Sequence, residues 1–126
     1  MPMTYYLENK LLVGSLKATT YTAPGNVYMA LFSTNCTKSA AGTELSGNGY
    51  ARQLVSFSTA ANGVIQATGN VTFSATGNTW PTVVNAGIYD ANTGGNLMYY
   101  STLNPKTVEA GSSLQFDSTN ITINIS

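Results

Sequence analysis

The strongest constraint on the fold is the way turn-forming residues divide the chain. From residue 24 onwards, Gly, Asn and Pro separate short apolar or alternating runs rich in Val, Ile, Thr and Tyr. Such runs, with a turn about every 8–12 residues, are typical of a β-sandwich or small barrel. The pattern predicts roughly eight short strands, at 27–32, 50–57, 64–67, 71–74, 83–89, 97–103, 114–116 and 121–126, with a further short extended piece at 107–109. We therefore predict an all-β fold, an antiparallel β-sandwich, in a single domain spanning residues 1–126.

Local signals refine this prediction. Asn62-Gly63 is typical of a two-residue hairpin turn, and the run at 71–74 is expected to pair with the run at 64–67. Gly87, inside a predicted strand, indicates a bulge or the close approach of another backbone. Isoleucine alternates with polar residues at the end of the chain, so the last strand is expected to run through Ile125 to Ser126.

Residues 4–17 form the one segment with helical spacing. Thr4 is a suitable N-cap, and four leucines are expected to fall near one face, at Leu7, Leu11, Leu12 and Leu16. Gly14 weakens the helical pattern. A short isolated helix is marginal in water, so this segment is expected to dock on its own sheet or on a neighbouring molecule.

Charge is scarce in this chain. Only 8% of the residues are charged, five basic and five acidic, whereas 18 Thr, 13 Asn and 12 Ser supply a neutral polar surface. A net charge of zero argues against binding to nucleic acid or to an anionic membrane. The single cysteine excludes an internal disulfide and fits a cytosolic origin. Neither a targeting segment nor a membrane-spanning run is expected.

The residues that most enzymes use are missing. The chain has no histidine, which excludes Ser-His-Asp and Cys-His nucleophiles. It contains no Ser-x-x-Lys motif, and the five carboxylates are scattered along the sequence. We therefore expect a protein that is not an enzyme and has no cofactor.

One loop resembles half of a calcium site. Asp90, Asn92 and the glycines at 94 and 95 match the start of such a loop, but Ser101 stands where the closing acid is needed. A hairpin turn, with Asp90 and Asn92 bonded to their own backbone and the glycines at positive φ, is the preferred interpretation. We expect no metal site.

Two further features are ambiguous. Trp80, in a chain with eight tyrosines, suggests a glycan-binding surface, although a buried tryptophan is the simpler interpretation. Glu44 and Arg52 flank a Gly-rich turn and are candidates for an ion pair that matters only if it is shielded and bidentate.

Four blocks of sequence carry a resemblance that covers nearly the whole chain. They are APGNVYMALF at 23–32, GTELSGNGYARQ at 42–53, WPTVVNAGIYDANTGGNL at 80–97, and KTVEAG at 106–111 followed by LQF at 114–116. In this order, and after YLEN at 6–9, they resemble a family of small virion proteins of tailed bacteriophages. Its members are often labelled tail-fibre proteins, and proteins of this size also serve as capsid decoration or cement proteins.

The resemblance implies a structural protein of the virion, assembled in the host cytoplasm. Its expected partners are the major capsid protein or other virion proteins, and it is expected to form a homo-oligomer, without nucleic acid or membrane. Because the chain has no repeat or shaft, capsid decoration is the preferred role. A tail or tail-fibre component acting in host attachment, with glycan binding as one route, is the alternative.

Partner contacts are expected from the helical segment and from the loop at 33–48. The candidate partner-binding residues are Tyr5, Tyr6, Leu7, Leu11, Leu12, Cys36, Lys38 and Glu44. The predicted core comprises Val27, Leu31, Val55, Phe57, Phe73, Ile88, Leu97, Leu114, Phe116, Ile121 and Ile123.

Overall fold

The computed structural model describes residues 1–124, and they form one helix followed by eight short strands, as the sequence predicts. Their bounds are α1 Tyr5–Leu16, β1 Val27–Phe32, β2 Gln53–Val55, β3 Val64–Gln66, β4 Val71–Ser74, β5 Val83–Tyr89, β6 Leu97–Lys106, β7 Ser113–Phe116 and β8 Thr122–Asn124, with a 3₁₀ turn at Ser118–Asn120 between the last two strands. The predicted continuation through Ile125 and Ser126 lies outside the described residues. The all-β class is confirmed.

The strands form one sheet and two ribbons, all antiparallel. The sheet has the order β2-β1-β5-β6, and the ribbons are β3-β8 and β4-β7. The predicted pairing of β3 with β4 is wrong. In the segment that joins β3 to β4, the Ala67 amide donates to the Ile121 carbonyl (2.9 Å) and the Asn70 side chain accepts from the Ser118 amide (3.0 Å). The chain therefore crosses here from one ribbon to the other.

Hydrophobic packing explains why β4 pairs with β7. Val71 and Phe73 alternate with exposed Thr72 and Ser74, so one face of β4 is buried in the core. Pairing with β7 brings Phe116 edge-on to Phe73, with 6.1 Å between the ring centroids. An edge-to-face aromatic pair adds about 0.5–1.5 kcal/mol beyond the area it buries.

Both faces of the four-stranded sheet are covered. The larger core includes Met29 and Leu31 of β1 and Ile88 of β5, together with side chains of β4. The residues that alternate with them, among them Ala30 and Phe32, belong to a second cluster on the opposite face. All eleven predicted core residues are buried or pack against a core cluster.

The turn chemistry agrees with the sequence. Ala61 and Val64 exchange two backbone hydrogen bonds across Asn62-Gly63, and both turn residues have positive φ, which confirms the two-residue hairpin. At Gly87 the predicted close approach is confirmed, because a Cβ there would lie 3.0 Å from the Tyr99 carbonyl oxygen.

Some extended segments are shorter than predicted. Only 53–55 of the run at 50–57 form a strand, and 107–109 form none. Within the latter, Val108 is buried and its carbonyl accepts from the Trp80 amide (3.0 Å), so this piece anchors the core without joining a sheet. No helix among residues 1–124 is long and apolar enough to cross a membrane.

Candidate functional site

The segment before α1 is attached to the edge of the sheet. The Tyr100 amide donates to the Pro2 carbonyl (3.1 Å), and the Thr4 amide donates to the Met98 carbonyl (2.9 Å), so residues 2–4 run along β6. The buried Thr4 hydroxyl donates to the Leu97 carbonyl (2.6 Å) and accepts from the amide of Leu7 (3.5 Å). Thr4 therefore caps the helix, as predicted, and joins it to β6.

The helix has two apolar faces. Leu7 is buried and Leu11 packs partly against the core, so these two face the sheet. Leu12 and Leu16 are 57% and 77% exposed, which shows that the four leucines do not share one face as expected. They fail to do so because positions 11 and 12 are about 100° apart around a helix of 3.6 residues per turn.

The outward face carries three exposed apolar side chains, with Glu8 and Asn9 on the turn that separates the first from the other two. Tyr5 is 53% exposed, and it precedes Leu12 by seven residues and Leu16 by eleven, which places all three on one side of the helix. We call Tyr5, Leu12 and Leu16 the outward stripe. The Lys38 ammonium lies over the Tyr5 ring, 5.6 Å from its centroid, but all three side chains stay more than half exposed, and exposed apolar groups gathered in one place mark interaction sites.

Lys38 connects the loop at 33–48, the second region of expected partner contacts, to helix α1. Its ammonium pairs with the Glu8 carboxylate (2.6 Å) and donates to the Met3 carbonyl (3.2 Å), while its own carbonyl accepts from the Tyr5 amide (2.9 Å). The hydrogen bond to Glu8 raises the pKa of Lys38. The two candidate regions therefore form one surface.

Two candidate partner-binding residues lie inside the protein. Leu7 is 3% exposed and Cys36 is 6% exposed, so neither is available on an exposed docking surface. The Cys36 sulfur accepts a hydrogen bond from the Gly42 amide (3.3 Å), and burial raises the pKa of the thiol. Cys36 therefore acts as the small buried residue that the sequence suggested.

Glu44 belongs to a shielded ion pair. The Arg52 guanidinium donates to both carboxylate oxygens of Glu44 (2.8 Å each), and its side chain is only 7% exposed. The Tyr50 hydroxyl donates to Glu44 (2.6 Å) and accepts from the Leu31 amide (3.1 Å). We call Glu44, Tyr50 and Arg52 the ion-pair network. The Glu44–Arg52 pair is both shielded and bidentate, which supports its predicted structural importance.

The network also holds the hairpin loop that precedes β6. Arg52 donates to the carbonyls of Ala91 (2.9 Å) and Gly94 (2.7 Å), and its guanidinium lies 3.6 Å from the Tyr89 ring centroid. Burial alone would raise the pKa of Glu44, but the hydrogen bonds from Arg52 and Tyr50 and the charge of Arg52 outweigh it and lower that pKa.

The suggested calcium loop is a turn. Asp90 accepts from the Asn96 amide (2.7 Å) and from its side-chain amide (3.1 Å), and Gly94 and Gly95 have positive φ. The Asp90 carboxylate is thus used within the hairpin. Among residues 1–124, no three His, Cys, Asp or Glu side chains are grouped as metal ligands are.

Trp80 is part of the core. It is 3% exposed, its indole donates to the Asn48 carbonyl (2.9 Å), and Tyr50 lies edge-on at 5.7 Å. A glycan has no access to a ring in this position, so the glycan-binding hypothesis is wrong as placed on Trp80.

The predicted partner-binding residues leave out exposed Leu16 and Tyr21, which lines a cleft. Leu16 completes the outward stripe, and its spacing of four from Leu12 is the signal that identifies it. Tyr21 packs against the helix at Gly14 and lines a cleft with Tyr6. No local pattern in the sequence marks Tyr21.

The family model described as Podophage GP4 fiber I protein gp80 matches residues 2–124. No match was found among curated proteins.

Proposed function

Because this chain belongs to the family described as Podophage GP4 fiber I protein gp80, and is accordingly a structural protein of a phage virion, we propose that it is a tail-fibre component bound to its neighbours through the outward stripe. The family's description supports the fibre assignment. The observation that carries the docking surface is the second apolar face of α1, whose three side chains are each more than half exposed.

The stripe suits a permanent contact between protein subunits. Its three side chains are large and apolar, and the helix that carries them is attached to β6 through Thr4 and to the loop through Lys38. A helix held in place loses little conformational entropy on binding, so the apolar area it buries contributes directly to affinity. A groove that receives an amphipathic helix is a common form of partner.

The scarcity of charge fits the same role. With a net charge of zero, closely packed copies repel one another little, and a surface of hydroxyls and amides loses few ionic contacts on assembly. We propose that the protein has no catalytic activity, since it lacks histidine and its carboxylates Glu44 and Asp90 are engaged within the fold.

Capsid decoration is the second candidate. It is favoured by the structure itself, because residues 1–124 form a globular domain with no shaft or repeat. Both candidates use the same stripe and differ in the neighbour that it contacts. Whether the protein also forms a homo-oligomer is a prediction that light scattering of the purified chain tests.

The deciding experiment separates heads from tails. Purified virions are dissociated, the fractions are isolated, and the chain is quantified in each by mass spectrometry. We expect it in the tail fraction at a few copies per particle. Recovery in the head fraction in many copies would instead establish decoration.

A variant phage tests the stripe. Leu12→Ser with Leu16→Ser should leave the isolated protein folded but deplete it from virions. Leu54→Ser is the matched control, since Leu54 is 55% exposed on β2, away from the helix. Equal incorporation of the stripe variant and the control would show that the stripe is not the docking surface.

A further inference from the structure

A cleft lies on a third side of α1, where the chain returns along the helix. Gly14 makes this possible, because a Cβ there would lie 3.1 Å from the Tyr21 Cβ and 3.4 Å from the Thr19 carbonyl oxygen. The space between the helix and the returning segment is about 570 Å³. That volume lies within the range of about 300–1,000 Å³ usual for ligand pockets.

Eight residues line this cleft. Two are tyrosines, two carry nitrogen donors, three are threonines and one is a valine; they are Tyr6, Asn9, Lys10, Val13, Thr19, Thr20, Tyr21 and Thr22. Its lining contains no carboxylate, so Lys10 supplies the one full charge. The Lys10 ammonium lies 5.9 Å from the Tyr6 ring centroid, which places that charge beside an aromatic face.

This combination matches the chemistry of a sugar ring that carries an acid group. The C–H face of a pyranose packs on an aromatic ring, and its hydroxyls exchange hydrogen bonds with amides and hydroxyls. A carboxylate on the ring would pair with Lys10 in a charge-assisted hydrogen bond. A purely apolar ligand would leave the threonine hydroxyls and the amide without partners.

We propose that the cleft between Tyr6 and Tyr21 binds an acidic saccharide, with the tyrosine rings packing against the sugar and Lys10 pairing with its carboxylate. The site adjoins the outward stripe, since Asn9 lines both the cleft and the groove along Tyr5 and Leu12, but it uses none of the three side chains of the stripe. It also gives the chain a glycan site that does not involve the buried Trp80.

The test is titration of the isolated full-length protein, followed by ¹H–¹⁵N NMR, with three probes. Digalacturonate is the acidic disaccharide, galactobiose is its neutral counterpart, and succinate carries carboxylates without a sugar ring. We expect digalacturonate to shift resonances of Tyr6 and Tyr21 and to bind more tightly than either other probe. Equal binding of galactobiose would overturn the role of the acid group, and equal binding of succinate would overturn the role of the sugar.

Matched variants locate the site. Lys10→Gln should weaken digalacturonate binding about fivefold, the upper range for an exposed ion pair, and leave galactobiose unaffected. Lys17→Gln is the control, since Lys17 lies at the end of the same helix but outside the cleft lining. Tyr21→Ala should abolish binding, and Tyr21→Phe, which keeps the ring and the packing on Gly14, should retain most of it.

The saccharide titrations use only the isolated protein, whereas the docking surface is tested by incorporation into virions. A failure of one proposal is therefore distinguishable from a failure of the other. Equal losses in the Lys10 and Lys17 variants would indicate only general attraction to positive charge and would overturn the proposal. The absence of any shift at Tyr6 and Tyr21 at saccharide concentrations of tens of millimolar would do the same.

Discussion

Removing the guanidinium of Arg52 should cost this fold more stability than any other change of a single charge. Arg52→Ala deletes two hydrogen bonds to Glu44 and two to the carbonyls of Ala91 and Gly94. It also leaves the Glu44 carboxylate, whose side chain is only 25% exposed, with Tyr50 as its remaining hydrogen-bond donor.

The size of the effect follows from that geometry. Breaking a buried ion pair by removing one partner costs about 3–5 kcal/mol, since the other charge stays uncompensated. Glu44 keeps some contact with water, which places the expected loss in the free energy of unfolding at the lower end, about 3 kcal/mol. For a domain of this size the free energy of unfolding falls by about 2 kcal/mol for each molar increase in urea. A loss of about 3 kcal/mol therefore lowers the urea concentration at the unfolding midpoint by about 1.5 M.

The protein carries a suitable probe for this measurement. Trp80 is the single tryptophan, and it is buried against Tyr50, one of the three members of the ion-pair network. Its fluorescence therefore follows urea unfolding in every variant. Lys38→Met is the matched control, because the Lys38–Glu8 pair is also hydrogen-bonded but has side chains 38% and 30% exposed. Its midpoint should move far less than that of Arg52→Ala.

The same network predicts a dependence on pH. The pKa of Glu44 is lower in the folded protein than its ordinary value of 4.5, so the unfolded chain takes up a proton first as the pH falls. The stabilisation from Glu44 is complete above about pH 4.5 and is lost as the pH drops through the lower, folded pKa. Glu44→Gln should flatten this part of the stability profile.

An Arg52→Ala midpoint within experimental error of the Lys38→Met midpoint would refute the proposed importance of the ion-pair network.

Three further changes test the packing of the fold by urea unfolding. Thr4→Val keeps the shape of the side chain but removes the hydroxyl that caps α1 and bonds the Leu97 carbonyl, so it should cost about 1–2 kcal/mol; a change below 0.5 kcal/mol or so would mean that the cap is dispensable. Gly87→Ala places a Cβ 3.0 Å from the Tyr99 carbonyl oxygen and should cost about 1–3 kcal/mol, whereas a neutral result would show that β5 and β6 can separate at this point. Phe73→Ala should cost about 3–5 kcal/mol, because the ring is fully buried, and a loss near 1 kcal/mol would indicate that the core collapses around the gap.

Local features of the fold could be predicted from the sequence because local chemistry determines them. The hairpin at Asn62-Gly63 follows from two residues that tolerate positive φ, and the bounds of β1, β4 and β5 follow from apolar runs between turns. Strand pairing is different in kind. The sequence around 64–74 favours a local hairpin, and only the packing of Phe73 against Phe116, far along the chain, favours β7 as the partner of β4.

The candidate site shows the same limit. Glu44 and Arg52 are close in sequence, and this proximity predicts an ion pair between them, whereas the contacts of Arg52 with Ala91 and Gly94 depend on the tertiary fold. Helical spacing located the apolar residues of α1 but not the direction each one faces. That direction is set by where Thr4 attaches the helix to β6, which is again a contact between distant parts of the chain.

The attachment of Thr4 has a consequence for the order of events during synthesis. Its carbonyl partner, Leu97, follows it by 93 residues, so the helix emerges from the ribosome long before the strand that holds it exists. A twelve-residue helix on its own is marginal in water. Chains are made at about 5–20 residues per second, so several seconds pass between the synthesis of α1 and that of the strand that holds it. The outward stripe therefore becomes an ordered helical surface only once β6 has been made and paired. On the docking role proposed for the outward stripe, an incomplete or misfolded copy lacks the ordered surface, and the fold itself would exclude such copies from the particle.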